Sequence, residues 1–483
     1  MLKMIDHLYR YRPIEAVLGK FDELERQEIY FSAPAELNDP MEGFKDLFWS
    51  GDRIVWENFL RHYILCLQET AIHALAGPDL DNHVLDNLVF SVPDSLPHAP
   101  IRTIYKRLSE AFLNDAAVKT FLRVVSSRST PIRQNELTSY LRSLHPFALG
   151  AIFKEFVDHG VLPSTSFMNG PTPEILRQNA MKMMEGVANL PKADISTERL
   201  SEALFAANEG VASQTHLIFE YTLPDRRNRS MALLTRYFPT SYVRALDKLV
   251  HRDWYVSCFS ASATNPSMWG TYGQGHRGVC LKFKTPPNSN EEPTLTIKRV
   301  TAISASTSGS KEIESFIQHP LQKVVYSQDY PAIDFFRSLG TIRQTHMDSF
   351  WYRDSDGTFS SCRDAVYENE AAWRDQYWKT FTASTLCKTP EWSHEEEYRM
   401  LVHSGGDMRE KEKRKLKYRF EDLAGIVFGI RTDTEDKLKI MRIVDRKCAE
   451  AGREDFEFSE IRYVTTEAKF IQFSLGLLKP KRA

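Results

Sequence analysis

The sequence predicts an α+β protein, a mixed strand-rich core carrying a large all-helical insertion. Both outer parts of the chain alternate apolar and polar residues over short runs, which is the two-residue period of strands. Residues 51–245 switch to apolar residues three and four apart, the period of helices laid on a core. The 483 residues, 42% of them apolar, exceed what a single hydrophobic core usually organises. The expected division is 1–50 and 246–483 for the core and 51–245 for the insertion.

Leu8-Tyr9-Arg10-Tyr11-Arg12 alternates as a strand and stops at Pro13; a helix through Leu18 and Leu24 follows, then a strand at Ile29-Tyr30-Phe31-Ser32. Leu37-Asn38-Asp39-Pro40-Met41-Glu42-Gly43 is dense in turn formers, with Asp39 held out of helix by Pro40; the other reading turns Asp39 and Glu42 toward a ligand. In the insertion, Ile104, Leu108 and Phe112 form one helical stripe, Val118, Phe121, Leu122 and Val125 a second, and Leu200, Ala203, Leu204 and Ala207 a third. Thr172-Pro173-Glu174 reads as a helix start before Ile175, Leu176, Ala180 and Met183. With no His, Cys or acid cluster at ligand spacing there, the insertion's methionines and aromatics read as core.

Strand character returns at Trp254–Ser260 and Val279–Lys284, followed by expected loops at 285–294 and 304–311 and a strand at 323–326. An aromatic-rich helical segment is expected over 330–385, a strand at Leu423–Phe428, a helix over 435–451 closed by Gly452, and a last strand at 456–464.

Composition narrows the function. The 62 basic and 64 acidic residues nearly cancel, which argues against a nucleic-acid coat or an anionic-membrane binder. The basic run at 409–419 is interrupted by Glu410 and Glu412 and reads as a charged hairpin tip. Six cysteines lie far apart, without the short spacing of a zinc or redox pair, and read as reduced, buried thiols. Residues 1–7 lack the apolar core of a signal peptide, and no stretch approaches a membrane span, so a cytoplasmic protein with no membrane partner is expected.

The chemistry points to Trp392-Ser393-His394-Glu395-Glu396-Glu397-Tyr398-Arg399. A strand over 395–403 puts Glu395, Glu397 and Arg399 on one face and Tyr398, Met400 and Val402 on the other. Two acids so placed can divide labour, one orienting a hydroxyl and the other stabilising positive charge, as in chemistry at a sugar carbon. The alternative is a solvated strand edge. His276 and Arg277 lie in a glycine-rich loop, 273–278, whose amides could approach a phosphate. Trp269 and Tyr272 read equally as ring-stacking residues or as core.

These motifs form an ordered series: Leu8-Tyr9-Arg10-Tyr11-Arg12, Tyr30-Phe31-Ser32, the Asn38-Asp39-Pro40 turn with Glu42, Cys258-Phe259-Ser260, Met268-Trp269, Tyr272, His276-Arg277-Gly278-Val279-Cys280, Lys388, Trp392, Glu395 and Glu397-Tyr398-Arg399. The series resembles a bacterial family catalogued as domain of unknown function twenty-nine seventy-one, over about 1–50 and 250–430, with the helical region as a long insertion. The order of a strand with Arg, a strand with Ser and a strand with E-x-E also resembles ADP-ribosyltransferases. That resemblance implies a core of their kind, NAD as cofactor, Glu397 at a ribose hydroxyl and Glu395 at the acceptor. It implies Arg10 or Arg12 on the pyrophosphate and Ser260 at the nicotinamide side, with Trp269, Tyr272, His276 and Arg399 completing the cofactor site. The acceptor is a protein, a nucleic acid or water, and the insertion grips a target, a trigger or a copy of itself. Proteins of this sort often resemble toxins or antiviral effectors.

Two further readings stay open. Asp39, Glu42, Glu395 and Glu397 could gather a divalent ion in a nuclease, although no lysine follows the E-x-E and Arg399 cannot act as a base. In a binding or sensor module, the acids are salt-bridged to Arg10, Arg12 or Arg399.

Overall fold

The computed structural model describes residues 5–76, 84–96, 98–162, 173–188, 195–222, 227–306, 309–403 and 408–478. Thr172, the first four residues and residues 404–407, which precede the expected hairpin tip, lie outside these. The protein is mixed α and β, and its chain divides into two units. One comprises 1–44, 253–330 and 382–483; the other comprises 45–252 and 331–381. The aromatic segment 331–381, expected in the core, belongs with the helical unit.

Among the described residues, eight strands form the sheet of the first unit: β1 (His7–Arg12), β2 (Trp254–Ser260), β3 (Val279–Lys284), β4 (Gln322–Lys323), β5 (Glu397–His403), β6 (Leu423–Phe428), β7 (Glu457–Val464) and β8 (Lys469–Ser474). Their order is β8-β7-β6-β3-β1-β2-β5-β4, antiparallel except for β6 beside β7. Alternation sends Leu8, Phe259, Leu281, Tyr398, Met400 and Val402 to one core, against Ile440 and Val444 of the helix Thr434–Ala451. That helix ends where expected, at Gly452 with φ 63°, a left-handed position that glycine occupies without strain. Tyr11, Trp269, Cys280 and Val427 form a smaller core elsewhere in the unit.

Apart from the start of β5, the chain departs from the sequence reading in four further stretches of this unit. The expected loop at 304–311 is largely strand, since Thr294–Ser306 and Gly309–Pro320 pair as a long hairpin. The expected single strand at 323–326 is two, Gln322–Lys323 and Val325–Tyr326, in different sheets. A further strand, β8, follows β7. The basic run at 409–419 does not form a hairpin tip. Lys415–Lys417 pairs with Glu28–Tyr30, and Arg414 is buried, donating to the Met408 and Arg409 carbonyls.

In the second unit the longer helices are α1 (Arg53–Ala76), α2 (Ala99–Leu113), α3 (Ala116–Ser126), α4 (Gln134–Asp158), α5 (Pro173–Ala188) and α6 (Ile195–Thr222). The stripes of α2 and α3 are buried as expected: Leu108, Val118 and Phe121 are wholly inaccessible to solvent. The stripe of α6 is not, with Leu200 and Leu204 mostly exposed. Nor is the unit all helical, because Asp46–Trp49 pairs with Ile132–Arg133 and with Ala332–Asp334. No described helix is long and apolar enough to cross a membrane.

Candidate functional site

Register aligns the site. Tyr9 stands opposite Ser260, Ser260 opposite Glu397 and Cys258 opposite Arg399, so these side chains share one face of β1, β2 and β5. Arg10 falls on the other face, where its Nε donates to Ser257 Oγ at 3.2 Å. β1 and β2 are in register at Tyr9–Ser260, whereas β1 and β3 match along six positions. At this looser seam a cavity of about 230 Å³ opens, lined by residues of β1, β2, the 30–42 segment, Tyr272, Lys388, Glu395 and Glu397.

Glu397 begins β5, but Glu395 is not on that strand. It ends the 3₁₀ turn Pro390–Glu395, and Glu396 sits between them in the left-handed region at φ 45°. The kink still brings both acids to one cation, with Lys388 Nζ donating to Glu395 Oε2 at 2.7 Å and to Glu397 Oε2 at 3.4 Å. Lys388 comes from a separate two-residue strand paired with Val325–Tyr326, and its ammonium lies 4.5 Å from the centre of the Trp392 ring. Arg399, wholly buried, clamps Glu397 through Nε at 2.8 Å and Nη2 at 3.1 Å. It also donates to Glu42 Oε1 at 2.5 Å and to the Thr385 carbonyl at 2.6 Å.

Three carboxylates therefore face two cations out of water. Burial opposes the charge on Glu397, but Arg399 and Lys388 overcome it and hold the carboxyl below its ordinary range. Glu42 goes the other way: burial pushes its carboxyl up despite the same two cations. Its Oε2 is buried with no hydrogen-bond partner among the described residues. Because Glu42 is raised by burial and leaves one oxygen unpaired, whereas Glu397 takes two bonds from Arg399, thermal melts should show a smaller loss of Tm for Glu42→Gln than for Glu397→Gln. Tyr272 donates its hydroxyl to Glu395 Oε1 at 2.6 Å, and burial with the adjoining Glu395 charge drives the phenol upward.

The other expected site residues divide. Ser260 lines the cavity and donates to the Glu395 carbonyl at 2.8 Å, so it pins the turn carrying that acid. Arg10 and Arg12 line the cavity, but both are paired with Glu23; Arg10 also donates to the Tyr30 carbonyl at 3.2 Å. Burial, with Arg12 beside it, lowers the Arg10 guanidinium to about 10. Arg399, expected at the cofactor, is a buried clamp on Glu397 and lies outside the cavity lining. Trp269 is core: it is wholly buried, donates Nε1 to the Ala263 carbonyl at 2.7 Å and meets Tyr11 edge-on at 5.0 Å.

His276 is outside the cavity lining and meets Phe470 edge-on at 5.6 Å. Its loop is not a phosphate cradle, because the amides of residues 275–278 donate to carbonyls within residues 269–274. A Cβ on Gly278 would lie 2.3 Å from the Arg12 carbonyl oxygen. Gly278→Ala is therefore expected to cost about 1–3 kcal/mol in denaturant unfolding, because the backbone must shift to admit it.

Asp39 caps its own turn, accepting from the Met41 amide at 2.9 Å, while Glu42 joins the cluster. Among the described residues no group of three or more His, Cys, Asp or Glu side chains is arranged to hold a metal ion. Lys388 and Glu42 are the members whose roles sequence reasoning missed. Each was visible in a motif, but its partners come from other segments of the fold.

Fold and site together define an α+β domain with a buried carboxylate, ammonium and guanidinium cluster at a cleft between its central strands. Residues 268–400 match the model of the family described as Protein of unknown function (DUF2971), the family that the motif series resembles. The match takes in Tyr272, Lys388, Glu395, Glu397 and Arg399, and leaves out β1, Glu42 and Ser260. No curated protein and no solved structure matches the chain.

Proposed function

We propose that the cleft cleaves the nicotinamide glycosidic bond of NAD and transfers ADP-ribose to a protein, a nucleic acid or water. The observation that carries this reading is Glu397, lining the cavity and kept ionised by the Arg399 fork, beside a second acid held by Tyr272 and Lys388. When the glycosidic bond breaks, its electron pair leaves with nicotinamide and positive charge develops on the ribose. A fixed carboxylate at that carbon's hydroxyl stabilises this charge without reorganising. Glu395 orients the acceptor, and Tyr272 and Lys388 fix where Glu395 points. The acid-rich wall suits the cationic nicotinamide end of NAD; Arg12, paired with Glu23 and also lining the cavity, suits the phosphates. An effector role, toxic or defensive, fits such an activity.

The test is nicotinamide release from NAD by the full chain, with and without cell extract as acceptor source. Tyr272→Phe, which removes one hydroxyl and leaves the ring, is expected to slow release about tenfold or more while its KM for NAD holds. No release from the unaltered chain under either condition would overturn the proposal. It would favour a second reading, supported by the complete burial of Arg399, in which the ion cluster only holds a binding module together.

A further inference from the structure

The helix α6 faces α4 with a largely polar side, on which Phe205, against Tyr140, is its buried apolar residue among those described. Glu209 accepts from Arg142 at 2.6 Å, Glu202 from Asn135 at 2.7 Å, and Asn208 donates to Ser139 at 3.2 Å, all three partners lying on α4. Surface helices ordinarily bury their apolar stripe and show the polar one. Here Leu200, Leu204, Val211, Ile218 and Tyr221 are exposed by 66%, 58%, 61%, 66% and 93%. With Ala207 and Gln214 they are spaced alternately four and three apart, the a/d seam of a coiled coil over three heptads.

We infer that this seam is where two copies of the chain associate. Leu204, Val211 and Ile218 take the a positions, two of them β-branched, which favours a two-stranded pairing. The flanking positions Ala203, Gly210 and Leu217 on one side and Asn208 and Thr215 on the other carry no charge, so identical helices meet without like-charge repulsion. Gly210 and Ala207 leave room at mid-seam for close approach, and Gln214 can pair with its own counterpart. From Leu200 to Tyr221 the seam runs about 32 Å at the helical rise. Covering it on two copies removes on the order of 1,000 Å² from water, the size at which specific association begins. An anionic membrane is the poorer occupant, since α6 carries Glu198, Glu202, Glu209 and Glu220 against Arg199 alone.

The test is sedimentation of the full chain at micromolar concentrations, beside Val211→Glu, Ile218→Glu and the milder Leu204→Ala. Twice the monomer mass is expected for the unaltered chain, with monomer for both glutamate variants at unchanged Tm. Leu204→Ala is expected to weaken association at least tenfold. Three results would overturn the inference: a monomeric unaltered chain, a dimer that the variants leave intact, or glutamate variants that lower the Tm of a monomer. The last would show that another part of the same chain covers the seam. Seam-dependent pelleting with phosphatidylserine vesicles by a chain that stays monomeric would assign the face to a membrane instead.

Discussion

Glu397→Gln is expected to lower the rate of nicotinamide release by about 100- to 1,000-fold, the usual loss when one preorganised stabiliser of a charged transition state is removed. The amide keeps the shape and one acceptor oxygen, so NAD still binds and the loss falls on kcat more than on KM. The geometry adds a second effect. Glu397 is buried against Arg399 and Lys388, and the variant leaves those cations with Glu42 and Glu395 as their remaining acids. Some loss of Tm therefore accompanies the loss of rate, and rates have to be referred to the folded fraction at the assay temperature. A variant that folds and still releases nicotinamide within a few-fold of the unaltered chain would remove Glu397 from the chemistry.

Much of the fold was legible because its strands are short apolar-rich runs bounded by turn residues, although β2 and β6 are buried along nearly their whole length. β1, β2, β3 and β6 stand where period and turn residues put them, and Gly452 closes its helix. The site was legible as a set of acids, but not as a geometry. Glu395 and Glu397 sit two apart, which on a strand means the same face; the left-handed Glu396 shows only in the structure, and nothing in its residue type announces it. The Arg399–Glu397 pair was legible as one of two readings, a salt bridge beside a ligand-binding cation, whereas the second partner of Arg399, Glu42, lies 357 positions away. Arg10 and Arg12 likewise found Glu23. An apolar stripe states that a helix has an apolar face, not whether its own chain covers it. α2 and α3 bury theirs, whereas α6 anchors itself by Glu202, Asn208 and Glu209 and leaves the stripe outside.

Arg399→Met should be the most destabilising change in the first unit, costing about 3–5 kcal/mol in chemical denaturation, because it strands buried acids that are expensive to leave unpaired. The apolar replacement fills the space and takes away both the clamp on Glu397 and the bond to Glu42. The pH dependence separates this electrostatic loss from simple misfit. In the unaltered chain the Glu397 carboxyl is held below its unfolded value, so its contribution is fully present above about pH 4.3 and disappears as pH falls through the lower folded value. Without Arg399 the burial cost dominates and the carboxyl rises, reversing the sign: the variant gains stability on acidification, as protonation relieves the buried charge. Glu42, already raised by burial, loses Arg399 as well in the variant and rises further, so the difference between the two pH profiles reports Glu397 and Glu42 together, both gaining from acid. Unfolding curves at pH 7 and pH 5 should accordingly converge at the lower pH. Parallel curves with a constant gap would mean that the Arg399 side chain stabilises the unit by packing, not by its charge.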